Sequence, residues 1–238
     1  GVGVSAPKAN LHVNDAAIIN NAAGAEIAPR WRSSAVRGKA MYYNKGVTVG
    51  SKIYVFSGND DAGWITNAFQ VYDCEADTVA WSSTGGVACA RYSAAMYDGK
   101  VFIHGGRHPL TSTVYNQFTG YDPASDTWTN MPAGPAVFWH GSAVIGTKFY
   151  SWTGNSGQNI LHAFDFVSGT WTNLGAKGQL RHRPFVVAYG GKLYRWGGRM
   201  GTVSTNTMDI YDPQTGLATA GPPVGFARDG GSVEVYGS

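Results

Sequence analysis

The sequence predicts an all-β fold of small antiparallel sheets repeated around an axis, a β-propeller. Three observations predict it. Four stretches share one form: a tight turn with lysine, a β-rich run, and a glycine-bearing end. They are Gly50 to Gly58, Asp98 to Gly106, Gly146 to Gly154 and Gly190 to Gly198. Their lysines fall at 52, 100, 148 and 192, a nearly constant period that marks a repeat architecture. The composition agrees: of 238 residues 33 are glycine, 13% are aromatic and only 14% are charged. That is a turn-rich, weakly charged chain, unlike a disordered one.

Each repeat carries the same parts in the same order. A strand such as Tyr92 to Tyr97 leads into the turn, and a second strand ends at the glycines. A variable loop follows. A third strand then ends in an aromatic-Asp pair: Tyr72-Asp73, Tyr121-Asp122, Phe164-Asp165 and Tyr211-Asp212. These aspartates recur in every unit, so they are expected to serve turns. A last strand carries Trp81, Trp128 or Trp171, with Leu217 in the fourth unit. One four-stranded sheet cannot bury both faces alone. Stacking sheets about an axis solves this, with glycines at the crowded inner end and tryptophans in the wider outer wedge.

The Gly-Gly after an aromatic strand, the Tyr-Asp turn and the spaced tryptophan together resemble the kelch-repeat family, over roughly residues 42 to 238. Ser57-Gly58 and Thr153-Gly154 depart from the double glycine, and Leu217 departs from tryptophan. The resemblance is therefore to a divergent member. Residues 226 to 238 repeat the first strand of a unit and then stop. Five units of about 48 residues fit 238. The expectation is one domain, 1–238, a five-bladed kelch-like propeller closed by both termini. Residues 1–36 would supply the closing strands; 37–238 would supply four repeats plus the first strand of the shared blade. The alternative is part of a six- or seven-bladed ring.

In the kelch family, partners bind one face, made by the loops after the double glycine and the residues leading into each first strand. Carried over by the resemblance, the ligand-binding candidates are Arg91, Tyr92, Arg107, His108, Trp139, His140, Arg181, Arg183, Arg199 and Arg228, with Asn59, Asp60, Asp61 and Asn155 in the same loops. Converging arginines suit carboxylate or sulfate, and Tyr92 and Trp139 could stack. Strand-leading arginines such as Arg91 and Arg228 have a structural alternative, pairing with carbonyls or turn aspartates.

The expected function is a non-catalytic binding or interaction module. It would recognise an acidic glycan or acidic peptide, outside a cell or on a virion surface. The alternatives are a structural component of an assembly such as a phage particle, in contact with other subunits, and a small sugar-modifying enzyme of epimerase or oxidase type using His108 or His140. No hydrolase, metalloprotease, phosphate-loop or dinucleotide fingerprint occurs, so no catalytic residue, metal or cofactor is expected. Net charge is +3, too mild to imply nucleic acid, and no apolar run is long enough for a membrane span. Cys74 and Cys89 leave a single disulfide open.

Overall fold

The computed structural model describes residues 41–60, 65–82, 86, 88–152, 154, 159–231, 233 and 235. The expected N-terminal strands of residues 1–36 lie outside the described residues. So do Asp61 and Asn155.

The described strands form four antiparallel blades. Blade 1 holds β1 (Met41–Tyr42), β2 (Lys45–Val49), β3 (Lys52–Asp60), β4 (Ile65–Asp73) and β5 (Thr78–Ser82). Blade 2 holds β6 (Ser93–Tyr97), β7 (Lys100–His104), β8 (Phe118–Asp122) and β9 (Thr127–Met131). Blade 3 holds β10 (Gly141–Ile145), β11 (Lys148–Trp152), β12 (Ile160–Asp165) and β13 (Thr170–Ala176). Blade 4 holds β14 (Phe185–Tyr189), β15 (Lys192–Trp196), β18 (Met208–Asp212) and β19 (Leu217–Gly221). A small hairpin, β16 (Arg199–Met200) with β17 (Val203–Ser204), is set into its loop. Each blade is a meander in which consecutive main strands pair.

The inner strands β2, β6, β10 and β14 meet in sequence order and surround a central cavity of 380 Å³. Val233 and Val235 line the same cavity. In two of the inner hairpins two left-handed residues make the tight turn. Asp98 (φ 48°) and Gly99 (φ 71°) connect the paired Tyr97 and Lys100, and Gly190 (φ 55°) with Gly191 (φ 73°) connects Tyr189 and Lys192.

The aspartates of the aromatic-Asp pairs serve turns, as expected. Asp73, Asp122, Asp165 and Asp212 each accept backbone N–H groups of the following turn at 2.8–3.5 Å. Each also faces the lysine of its own hairpin, with Lys52–Asp73 at 3.8 Å, Lys100–Asp122 at 3.0 Å, Lys148–Asp165 at 3.9 Å and Lys192–Asp212 at 3.0 Å. This pairing explains why lysine and aspartate repeat with the same period.

Tryptophans fill the wedges between blades. Trp128 of blade 2 meets Phe56 and Phe69 of blade 1 edge-on, with centroids 5.6 and 6.0 Å away. Trp171 of blade 3 packs on His104 and Phe118 of blade 2, and its Nε1 donates to Pro132 O. Leu217, which replaces tryptophan in blade 4, is left exposed. The wedge between blades 3 and 4 is filled differently. Trp152 is fully buried there, with the Arg195 guanidinium 4.3 Å above its ring. Arg195 and Arg181, both fully buried, share the Asp209 carboxylate at 2.7 and 2.8 Å. Arg195 also donates to Asn159 Oδ1 and to Lys177 O and Gln179 O of blade 3. Burial pulls the Arg195 guanidinium down to about 10, against the opposing pull of Asp209.

The second glycine of each pair lets one blade reach the next. Gly106 N donates to Val137 O, and Gly198 N to Arg228 O. A Cβ on Gly198 would sit 2.5 Å from His182 O. In blade 1, where Ser57 stands in place of the first glycine, its hydroxyl adds a further link: Ser57 Oγ donates to Cys89 O at 2.6 Å and accepts from Cys89 N at 3.1 Å. Cys74 and Cys89 are both free thiols.

Candidate functional site

One main-chain feature organises the mouth of the channel. The residue two places before each inner strand takes a left-handed conformation: Tyr43 (φ 59°), Arg91 (φ 63°), Trp139 (φ 53°) and Arg183 (φ 52°), then Gly230 (φ 72°). They are joined in series by backbone hydrogen bonds. Arg91 N donates to Tyr43 O at 3.0 Å, Trp139 N to Arg91 O at 2.8 Å, Arg183 N to Trp139 O at 2.9 Å and Gly230 N to Arg183 O at 3.3 Å. Non-glycine residues rarely adopt this conformation, and such runs of strain gather at functional sites.

The four side chains alternate aromatic and cation. The Arg91 guanidinium lies 4.8 Å from the Tyr43 ring centroid and 5.1 Å from that of Trp139. The Arg183 guanidinium lies 4.0 Å from the Trp139 centroid and 5.7 Å from that of Tyr43. They line a cavity of 260 Å³, together with Lys45 and Asp229. Asp229 pairs with Arg183 at 3.3 Å and accepts from Ser204 Oγ at 2.8 Å. Three cations against one carboxylate leave the mouth positive. Among the described residues no carboxylate pairs with Arg91. Three buried donors, Arg91 Nε, Arg183 Nε and Trp139 Nε1, have no hydrogen-bond acceptor among the described residues.

The sequence-predicted residues therefore separate. Arg91, Trp139 and Arg183 are brought together. Tyr92 and His140 lie beneath them and line the same cavity, but both are buried. The Tyr92 hydroxyl donates to Phe56 O and accepts from Lys45 N, and burial raises its pKa. It is a core link between blades, which corrects the expectation of a stacking platform. The His140 Nε2 bonds Ser93 Oγ at 2.6 Å, and burial beside His104 holds its imidazole well below the usual range. It is 2% exposed, so it forms part of the cavity floor, with Nε2 already engaged by Ser93. Arg181 is spent on Asp209, Gly197 O and Thr207 O inside blade 4.

Arg107 and Arg199 stand one step outside the mouth. Arg107 bridges Ala90 by main chain and lies 5.1 Å from Phe138; Arg199 bridges His182 and donates to Thr202 O. His108 Nδ1 accepts from Leu110 N and Thr111 N, so it caps its own loop. Arg228 is exposed beside Phe226. Asn59 is buried in blade 1, and the Asp60 side chain lies outside what is described. Sequence reasoning missed Tyr43, Lys45 and Asp229. Tyr43 was within reach, since it lies one repeat before Arg91. Among the described residues no group of three or more His, Cys, Asp or Glu could hold a metal.

No family model matches the chain. Among curated proteins, Kelch-like protein 25 of Rattus norvegicus is 30% identical over 225 residues, covering 69% of this chain and 38% of that protein. Kelch-like protein terF of Aspergillus terreus is 29% identical over 217 residues, covering 80% of this chain and 46% of that protein. The Rab9 effector protein with kelch motifs of Gallus gallus is 30% identical over 133 residues, covering 50% of this chain and 35% of that protein. The chain thus spans less than half the length of these relatives. The solved structure of YjhT has the same fold, with a TM-score of 0.74 at 12% identity over 86% of this chain and 77% of that one. Repeat motifs, blade architecture and these relatives agree: the chain is a divergent member of the kelch-repeat family.

Proposed function

We propose that the chain is a non-catalytic interaction module whose channel mouth receives an acidic peptide. The observation that carries this is the alternating Tyr43–Arg91–Trp139–Arg183 stack, whose two guanidiniums and Lys45 share the cavity with a single carboxylate, Asp229. Guanidiniums pair with an incoming carboxylate through charge-assisted hydrogen bonds. The rings hold both guanidiniums in place beforehand, so little side-chain entropy is lost on binding. Kelch membership favours a protein partner over a free glycan.

The test is fluorescence anisotropy with a Glu/Asp-rich peptide, a sialylated glycan and a charge-neutral peptide. Salt-dependent binding of the acidic peptide, lost in the Arg91→Ala/Arg183→Ala double variant, is expected. Preference for the glycan changes the ligand class. Equal binding by wild type and double variant overturns the site.

We also propose five blades in one domain. Gly230 occupies the fifth place in the hydrogen-bonded series, about one repeat after Arg183, and Val233 and Val235 line the channel beside the four inner strands. Lys45 Nζ donates to Gly231 O at 2.8 Å, which ties this segment to blade 1. Residues 1–36 would supply the remaining strands. Removing them should lower the melting temperature by about 4–8 °C or more, following about 2 kcal/mol or more of lost stability; an unchanged melt rejects the shared blade.

A further inference from the structure

Lys45 differs in its setting from the hairpin lysines. Lys52, Lys100, Lys148 and Lys192 stand 46–48% exposed at hairpins, each against its own aspartate. Lys45 heads the inner strand of blade 1 and lines both the channel and its mouth. Its Nζ donates to Gly231 O, a neutral acceptor, and among the described residues no carboxylate pairs with it. Burial holds its ammonium below the ordinary lysine range. A lysine loses its proton more easily when buried, and the free amine is the nucleophile. Arg91 and Arg183 line the same 260 Å³ cavity and supply fixed positive charge. An amine that can attack a carbonyl carbon and guanidiniums that can hold a carboxylate are the two halves of a 2-oxo acid site.

We propose that Lys45 captures small 2-oxo acids as a reversible imine at the channel mouth. The Nζ lone pair attacks the carbonyl carbon and forms a carbon–nitrogen bond. The carbonyl oxygen takes two protons, one from the nitrogen and one from solvent, and leaves as water as the imine double bond forms. The nitrogen's second proton passes to solvent. No oxidant or reductant is consumed, and hydrolysis returns the amine and the oxo acid. The Arg91 and Arg183 guanidiniums hold the substrate carboxylate. This reading shares Arg91 and Arg183 with peptide recognition but also needs the amine, whereas peptide recognition needs only the arginines.

The full chain is incubated with glyoxylate and sodium cyanoborohydride at pH 7, and adducts are counted by peptide mass spectrometry. The wild type carries its own reference in the four ion-paired lysines. Lys45 is expected to label faster than any of them, since burial favours its free amine and the two guanidiniums hold glyoxylate beside it. The preference for glyoxylate over propionaldehyde should collapse in Arg91→Ala/Arg183→Ala while Lys45 still reacts with the aldehyde. Labelling of Lys45 no faster than Lys52 or Lys100 overturns the proposal, as does an unchanged glyoxylate preference in the double variant. Fast labelling with no peptide binding would reject the peptide reading and leave this one standing.

Discussion

The Arg183 guanidinium lies 4.0 Å from the ring centroid of Trp139, and both residues hold left-handed backbone. The main chain, through Arg183 N to Trp139 O, sets this stack as much as the side chains do. Arg183→Ala should therefore leave the fold nearly intact. It should weaken the acidic peptide about tenfold, the loss of one charge-assisted hydrogen bond. Titration calorimetry at low and high salt would measure both numbers. Arg183→Lys should restore charge without the stack and recover only part of the affinity.

Asp209 neutralises two buried arginines, so its loss strands both. Asp209→Asn should cost about 3–5 kcal/mol in urea denaturation, the range for breaking a buried ion pair from one side. Replacing Asp122, an exposed turn aspartate with a lysine beside it, should cost far less. Equal effects would mean that Arg195 and Arg181 are not held as described.

Acid should weaken the joint between blades 2 and 3. Burial holds His104 down to about 3, and the nearby His162 adds to this; His140 is depressed by burial and by His104, Lys45 and His162. In the folded chain these imidazoles stay neutral while unfolded ones, titrating near 6.5, take up protons. The unfolded state thus binds more protons below about pH 6.5, and stability falls as pH falls from there. The slope is about 1.4 kcal/mol per pH unit for each histidine. The depressed Asp73, Asp122 and Asp212 act only lower, below about pH 4. Urea melts at pH 7.5, 6 and 5 should show the decline, and His104→Asn should flatten it.

Two glycines separate strain from collision. Gly191 has φ 73°, and a Cβ placed there would meet nothing within 4 Å, so Gly191→Ala should cost only about 1 kcal/mol of backbone strain. Gly198 has φ 86° and no space, so Gly198→Ala should cost several times more and disturb the bond to Arg228 O. Thermal melts of the two variants side by side give the comparison.

Features that recur were legible in the sequence. Lys52, Lys100, Lys148 and Lys192 with their aspartates, the Trp128 and Trp171 wedges and the double glycines all repeat, and each proves structural. The Arg195–Asp209–Arg181 cluster occurs in one blade only, so no periodicity exposed it. Arg181 was read as a surface residue because nothing local in Arg181-His182-Arg183 says which arginine turns inward. Tyr92 and His140 sit beside true mouth residues, but the left-handed backbone at Arg91 and Trp139 leaves the following side chain buried. The sequence places them at the right height but not on the right side.

The series from Tyr43 to Gly230 is held by amides and carbonyls, which every amino acid but proline brings. What projects from those five places is thereby uncoupled from what keeps them there, and tyrosine, arginine, tryptophan and glycine already occupy them. Selection, or an engineer, can rewrite the recognition chemistry of such a scaffold one position at a time without rebuilding it.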